Sequence, residues 1–443
     1  MKAVIVVREY ARITTEKVAP SLYQAQVSAS AFDWLCNLQA SFSKAGASLL
    51  QVENRRWLKL DSYVGVLQTP CGTVIEILPK VTENVSETAA KDSRGLLIKM
   101  LKTALDLPVR TADKADIELF EHPLLEWVMK EFINSLDHLI KRGLRFDYQR
   151  IEEEQRFLRG QLNINKQLRQ PPGREHIFNI RHDLFLPDRP ENRLLKTALM
   201  RVCKLTLQPN TWRLAHELAG ILTEVPGSKN IQDDFRQWRN DRLMAHYQPV
   251  RPWCELVLGQ QMPLAMQGST TGISLLFPME KLFEIFVEKK LRKLMSLPYS
   301  LKSQAASKSL CEHEQGYMFR LRPDLLVMSG KAIWAVLDTK WKLINSANKS
   351  DKYGLSQNDF YQLFAYGHKY LQKGKGQMML IYPKTASFTE PLPVFDYGHD
   401  LKLWVVPFDL NKEELALPLG GETFAWQHED NENLGIYRNV YLV

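Results

Sequence analysis

The spacing of apolar and polar positions divides this chain into three stretches. Up to about residue 90 it reads mainly as β-structure. "AVIVV" (3–7), "RWLKLDSYVGVLQT" (56–69) and "TVIEILPKV" (73–81) predict strands, the last two split by a Pro-Cys-Gly turn at 70–72. One helix, 30–42, interrupts them, and the polar run "TENVSETAAKDS" (82–93) reads as a loop or linker. Beyond it the apolar period becomes helical, predicting helices over 94–105, 124–144, 191–207 and 212–225. Among these, "RGQLNI" (159–164) reads as extended, and "QPPGRE" (170–175) and "VPGSKN" (225–230) as loops.

From about 269 helix and strand alternate. A helix over 277–297 carries Pro278 in its first turn. Two apolar runs follow around a Ser-Gly turn. A helix over 356–374 has Ser356 and Asp359 placed as a capping box and Gly374 as its stop, and buried strands are expected at 377–383 and 401–410. Helix, hairpin, helix and strand in that order predict an α/β sandwich. The expected fold is therefore α/β and multidomain. It has a β-rich N-terminal domain (1–90), a mainly helical middle region (91–268) and a C-terminal α/β domain (269–443).

Composition supports that division. A chain of 443 residues exceeds one ordinary core, and 45% hydrophobic with 24% charged residues is the balance of a soluble globular protein. The net charge of +8 suits a polyanionic partner without specifying one. Cys36, Cys71, Cys203, Cys254 and Cys311 are odd in number, far apart and free of any Cys-x-x-Cys. They are expected to be free thiols in a reducing cytoplasm rather than a disulfide framework or a zinc site. No segment approaches the ~18 consecutive apolar residues of a membrane span, and no signal peptide is recognised. The expectation is a cytoplasmic protein with no membrane partner.

The candidate chemistry lies in "RPDLLVMSGKAIWAVLDTKWK" (322–342). Folding back at Ser329–Lys331 sets Asp324 roughly opposite Asp338, and residues two apart on a strand share a face, so Asp338 and Lys340 point the same way. Two carboxylates held close repel unless a hard cation lies between them. Mg²⁺ takes such oxygen ligands, polarises a phosphodiester and lowers the pKa of water. The alternative is a buried structural ion pair: Asp-x-Lys recurs at Asp400–Lys402.

Two helices flank this hairpin. Glu280, Glu284 and Glu288 follow one another at i, i+4 beside an apolar face. They are either a solvated stripe or the source of a third acid, and spacing puts Glu280 nearer the apolar face than Glu284. Gln362 and Tyr366 lie one turn apart, as a site pair or as the polar edge of a packing helix. The basic run "EKKLRKL" (288–294) either lines a DNA groove or is a solvated face. Trp341 either stacks on DNA or lies in the core. His313, His368 and His399 have no metal-ligand spacing.

The order Glu284, Pro323-Asp324, Asp338-x-Lys340, Gln362-x-x-x-Tyr366 resembles the PD-(D/E)XK nuclease superfamily, in particular its RecB-like branch. That resemblance implies an Mg²⁺-dependent site with Asp324, Asp338 and Glu284 as metal ligands. Lys340 would position or activate water, and Gln362 and Tyr366 would support the site or DNA. The family pattern selects Glu284 and leaves Glu280 as its rival.

The blocks at 63–81, 157–164, 191–199 and 279–291 are similar to successive blocks of the McrC family, the nuclease subunit of modification-dependent McrBC restriction systems. The family implies an AAA+ GTPase ring as partner, engaged and stimulated by the N-terminal part of the chain. It also implies double-stranded DNA carrying 5-methylcytosine as target, and two copies for double-strand cleavage. No Gly-x-x-x-x-Gly-Lys-[Ser/Thr] loop occurs, so GTP is expected on the partner. Two other readings stand beside this one: a stand-alone RecB-like repair nuclease, and a catalytically silent adaptor that activates an AAA+ partner.

Overall fold

The computed structural model describes residues 4–44, 48–80, 89–108, 123–259, 275–295, 297–314, 316–371 and 376–416. Residues 82–88 of the predicted linker and the predicted helix stop at Gly374 lie outside them. The chain forms two compact units. One comprises Met1–Glu121, Leu264–Met266 and Leu276–Val443, and the other His122–Pro263 and Gln267–Leu275. Residues 1–90 and nearly all of 269–443, separate in the sequence division, thus fall in one unit, with most of the middle region forming the other.

The first unit opens with β1 (Val4–Arg8), β2 (Arg12–Thr14), β3 (Gln24–Gln26), α1 (Ala29–Lys44), β4 (Leu50–Asn54), β5 (Trp57–Leu60), β6 (Tyr63–Gln68) and β7 (Val74–Leu78). The single strand expected over 56–69 is two, broken at Asp61–Ser62. A helix, α2 (Ala89–Ala104), begins inside the stretch read as a linker. It is tied to β7 by an ion pair, Glu76 with Arg94 at 2.6 Å, both buried.

The second unit is largely helical: α3 (Leu124–Arg142), α4 (Ile164–Gln167), α5 (Pro190–Leu205), α6 (Pro209–Ile221), α7 (Ile231–Gln237) and α8 (Arg251–Val257). Trp127 and Trp253 meet edge to face in its core, centroids 5.2 Å apart. It also holds an antiparallel sheet of β8 (Asp147–Gln155), β9 (Gln161–Leu162) and β10 (Phe178–Leu186) in the order β8-β10-β9. Of the predicted extended piece only Gln161–Leu162 is strand, because Ile164 already starts α4. Gly160 has φ +69, and a Cβ there would sit 2.4 Å from the Arg181 carbonyl, so this turn requires glycine.

Returning to the first unit, β11 (Leu275–Pro278) joins the sheet β1-β7-β6-β11 and leads into α9 (Met279–Leu294). Then follow β12 (Tyr299–Ser303), β13 (Lys308–His313), β14 (Gly316–Leu321), β15 (Leu325–Ser329), β16 (Ala332–Thr339), α10 (Gln357–Tyr370), β17 (Gly376–Pro383), β18 (Phe395–Asp396), β19 (Leu401–Asp409) and β20 (Glu414–Leu415). Seven of these form one sheet, β12-β15-β16-β17-β19-β18 with β20 on β19. β16 and β17 run parallel, which demands a crossover, and α10 supplies it.

Helices cover both faces of this sheet, as the sandwich reading expects. Leu363, Tyr366 and Tyr370 of α10 pack with Leu326, Val336, Met378, Leu380, Leu403 and Val405. Phe283 and Phe286 of α9 reach Phe408, which has the opposite parity to Leu403 and Val405 on β19. The predicted capping box is absent: Ser356 makes no side-chain cap hydrogen bond, and the Asp359 carboxylate accepts from Lys342, beyond the end of β16, instead of capping the helix.

At Gly367 α10 lies so close to the sheet that a Cβ would meet Met378 Sδ at 2.6 Å and Leu401 Cδ1 at 2.9 Å. Gly367→Ala is expected to destabilise the protein by about 1–3 kcal/mol through overpacking. A denaturation midpoint unchanged from wild type would show that the contact yields freely.

Candidate active site

β15 and β16 pair antiparallel with Leu325 opposite Leu337, which one step outward sets Asp324 opposite Asp338. The turn at Gly330, φ +58, is where the sequence puts it. Asp338, 1% exposed, lies on the same face as Val336, the α10 side of the sheet. Lys340 Nζ stands 2.5 Å from Asp338 Oδ2. The two form a buried ion pair, and among the described residues the lysine is the only group on that oxygen. Lys340 also donates to Gln362 Oε1 at 3.3 Å. Gln362 Nε2 donates to Tyr366 Oη at 2.7 Å, and Tyr366 donates to the Arg322 carbonyl at 3.0 Å. The chain Asp338–Lys340–Gln362–Tyr366 thus closes back on the residue two before Asp324.

Asp324 Oδ2 accepts from the Thr339 amide and hydroxyl, both at 2.8 Å. Burial raises the Asp324 pKa, with the Glu284 charge adding to it and the Thr339 hydrogen bonds opposing. Burial and then the Asp324 charge raise that of Asp338. Burial opposes the Lys340 charge, but Asp338 and Asp359 outweigh it and hold its pKa above the ordinary lysine value. Two facing carboxylates whose ionisation is opposed by burial and by neighbouring acids are what a bound cation would relieve.

The two acids of α9 separate clearly. Glu284 is largely buried, accepts from Lys281 at 2.7 Å and from Gln304 at 3.1 Å, and its charge is felt at Asp324. Glu280 is exposed, contrary to its spacing, and its charge is felt at Tyr10, Tyr63 and Lys80. Helical spacing misplaced it because the apolar face of α9 packs on α2 as well as on the large sheet, and Glu280, at the helix start, lies outside that packing. Among the described residues no three His, Cys, Asp or Glu side chains already converge as a ligand cage.

The family described as McrBC 5-methylcytosine restriction system component matches residues 58–383. The chain belongs to the McrBC family. Its fold is similar to a chain of the half-complex from the tetradecameric assembly of Thermococcus gammatolerans McrB AAA+ hexamers with bound McrC. That match has 18% identity and TM-score 0.68, covering 92% of this chain and 95% of that one. A chain of the Thermococcus gammatolerans McrBC complex has 20% identity and TM-score 0.49, covering 65% of this chain and 87% of its own. No curated protein matches.

Within this McrBC-family chain several partners of the site escape sequence reasoning. Asp359, 8% exposed, pairs with Lys342 at 3.1 Å and lies 3.9 Å from Lys340. Thr339 is the hydrogen-bond anchor of Asp324. Trp341 is core, not a DNA platform: it packs on Phe283, centroids 5.2 Å apart, and donates to Glu9 Oε1 at 2.8 Å. The basic run of α9 is largely spent inside the protein, Lys289 on Asp106, Lys290 on Glu413 and Arg292 on Glu288. None of the five cysteines is bonded to another. Among the described residues no helix is long and apolar enough to cross a membrane.

Glu9 fixes the end of β16 and gives a pH signature. It is 3% exposed, and burial raises its pKa from 4.5 against hydrogen bonds from Trp341, Lys80 and Ser62. Its folded pKa therefore exceeds its unfolded one. The folded state binds the extra proton in that window, and wild-type stability falls as pH rises from about 4.5 through the raised value. Glu9→Gln removes this slope. Denaturant unfolding from pH 4 to 8 is expected to show the variant gaining on wild type with pH, and parallel profiles would refute it.

Proposed function

We propose that this chain is the Mg²⁺-dependent DNA endonuclease subunit of a GTP-driven, 5-methylcytosine-dependent restriction complex, with a PD-(D/E)XK nuclease domain in its C-terminal part. In the same reading it binds and stimulates an AAA+ GTPase ring that holds the GTP. The observation that carries it is the juxtaposition of Asp324 and Asp338 across β15 and β16, with Lys340 on Asp338 and Gln362 and Tyr366 bridging back.

The donor set fits a hard cation. Asp338 Oδ2 is buried with only the Lys340 ammonium on it, and of the two Asp324 oxygens only Oδ2 accepts hydrogen bonds among the described residues. Asp324 and Asp338 would hold Mg²⁺, and Glu284 would complete the set. When bound, the ion supplies polarisation of the phosphodiester and a more acidic attacking water. Lys340 orients that water or steadies developing charge. Gln362, steadied by Tyr366, holds the lysine beside Asp338, and Asp359 adds a second negative charge 3.9 Å from its ammonium.

The family match supports a role in a 5-methylcytosine restriction system. The Thermococcus gammatolerans assembly pairs McrC with McrB AAA+ hexamers, which supports a ring-shaped GTPase as this chain's partner. Double-strand cleavage by a single-site nuclease calls for two copies.

The test is cleavage of supercoiled methylated DNA with Mg²⁺, with and without the AAA+ GTPase and GTP. Cleavage is expected only with all of them present. Asp338→Asn should lower it about a hundredfold or more, the several kcal/mol a metal contributes. Cutting by Asp338→Asn at the wild-type rate would end the reading, and cutting by the chain alone would make it an autonomous nuclease.

A second comparison uses the two glutamates. Glu284→Gln is expected to raise the Mg²⁺ concentration needed for half-maximal cleavage, and Glu280→Gln to leave it unchanged. The reverse pattern would move the third ligand to Glu280.

A further inference from the structure

The strands β13 and β14 pair only with each other and stand apart from the large sheet as a two-stranded ribbon between β12 and β15. Nearly every residue of the ribbon is exposed on both faces. A lone two-stranded ribbon is marginal in water and needs support. Here it comes from α10: Tyr370 donates to the carbonyls of Ala305 at 2.7 Å and Leu321 at 3.0 Å. Tyr366, in the candidate site, holds the next residue, Arg322. The ribbon and Asp324 thus hang from the same helix.

Two features of the ribbon and its flanks point to a ligand. Lys308 and Arg320 on the ribbon, and Lys302 and Arg322 beside it, are exposed, and none is in an ion pair among the described residues. The basic run of α9 is largely paired. Tyr317 and Phe319 are 78% and 70% exposed, and Phe319 holds φ +56, a left-handed conformation that costs a bulky residue energy. Unpaired cations bind phosphates, exposed aromatic rings make apolar contact with base edges such as the thymine methyl, and a β-ribbon fits the major groove of a duplex.

We propose that the β13–β14 ribbon engages double-stranded DNA, its cations on the phosphates and Tyr317 and Phe319 against the bases, and leads the duplex to Asp324 and Asp338. This rests on the nuclease reading and names the surface by which that site takes its substrate.

The test measures binding of the full chain, alone and assembled with its AAA+ GTPase, to a fluorescent duplex without Mg²⁺. Tyr317→Ala with Phe319→Ala should weaken affinity roughly tenfold or more, while Tyr317→Phe with Phe319→Tyr retains it. Lys308→Ala with Arg320→Ala should weaken it and lower the slope of log affinity against log salt by about two. Unchanged thermal midpoints show that the exposed-site variants fold. The Asp338→Asn protein should bind without cutting, which separates the ribbon from catalysis.

Binding by the double alanine variant within about twofold of wild type overturns the proposal and leaves the nuclease reading intact. Loss of self-association by light scattering in that variant, with DNA affinity unchanged, overturns it in favour of contact between copies. A wild-type protein that binds no duplex in either form overturns the proposal and the nuclease reading together.

Discussion

A carboxylate buried in an apolar sheet constrains everything around it. Asp338 is 1% exposed, and beside it Lys340 is the nearest compensating charge. Removing one member of such a buried pair typically costs about 3–5 kcal/mol, because the other is left uncompensated. The pair therefore needs a polar frame, and α10 provides it through Asp359, Gln362 and Tyr366. That requirement explains why a helix with an apolar inner face carries those polar groups along one edge.

The same frame fixes the opposite strand. Asp324 is held by the Thr339 amide and hydroxyl, so its position depends on β16 continuing past Asp338 in register. The Lys340 amide in turn donates to the Ile381 carbonyl at 2.9 Å, which carries that register onto β17. A one-residue slip would turn Asp338 and Lys340 to the α9 face and strand both charges among Phe283, Phe286 and Phe408. Register and site are one constraint rather than two.

Much of this was legible because periodicity reports burial. The hairpin around Gly330, α9, α10 and the strands β17 and β19 each have one apolar face or an unbroken apolar run. What stayed hidden has no such face. β8 reads "DYQRIEEEQ" and alternates exposed with half-buried residues. It is held by cross-strand pairs, Glu152 with Arg181 at 2.5 Å and Arg150 with Asp183 at 3.3 Å, which leave no hydrophobic period to read. Asp359 was hidden for another reason: three residues after a serine at a helix start, it has a sufficient local explanation. The actual partner, Lys342, is 17 residues away. Local pattern identifies elements, but a side chain's choice between a local and a distant partner is made by packing.

The N-terminal strands illustrate that choice at larger scale. Read along the chain they are a separate β-rich segment, yet they share a compact unit with the large sheet. Trp341, the residue after Lys340, donates to Glu9, and Glu9 also accepts from the Lys80 amide at 3.0 Å. The segment 338–341 is thus gripped from two sides, by α10 through Lys340 and by the β1–β7 sheet through Trp341. With only one grip, Lys340 would be free to follow the motion of a strand end. With both, its ammonium is confined between Asp338, Asp359 and Gln362. The N-terminal strands therefore belong to the structural support of the candidate site, although 332 residues of sequence separate Glu9 from Trp341.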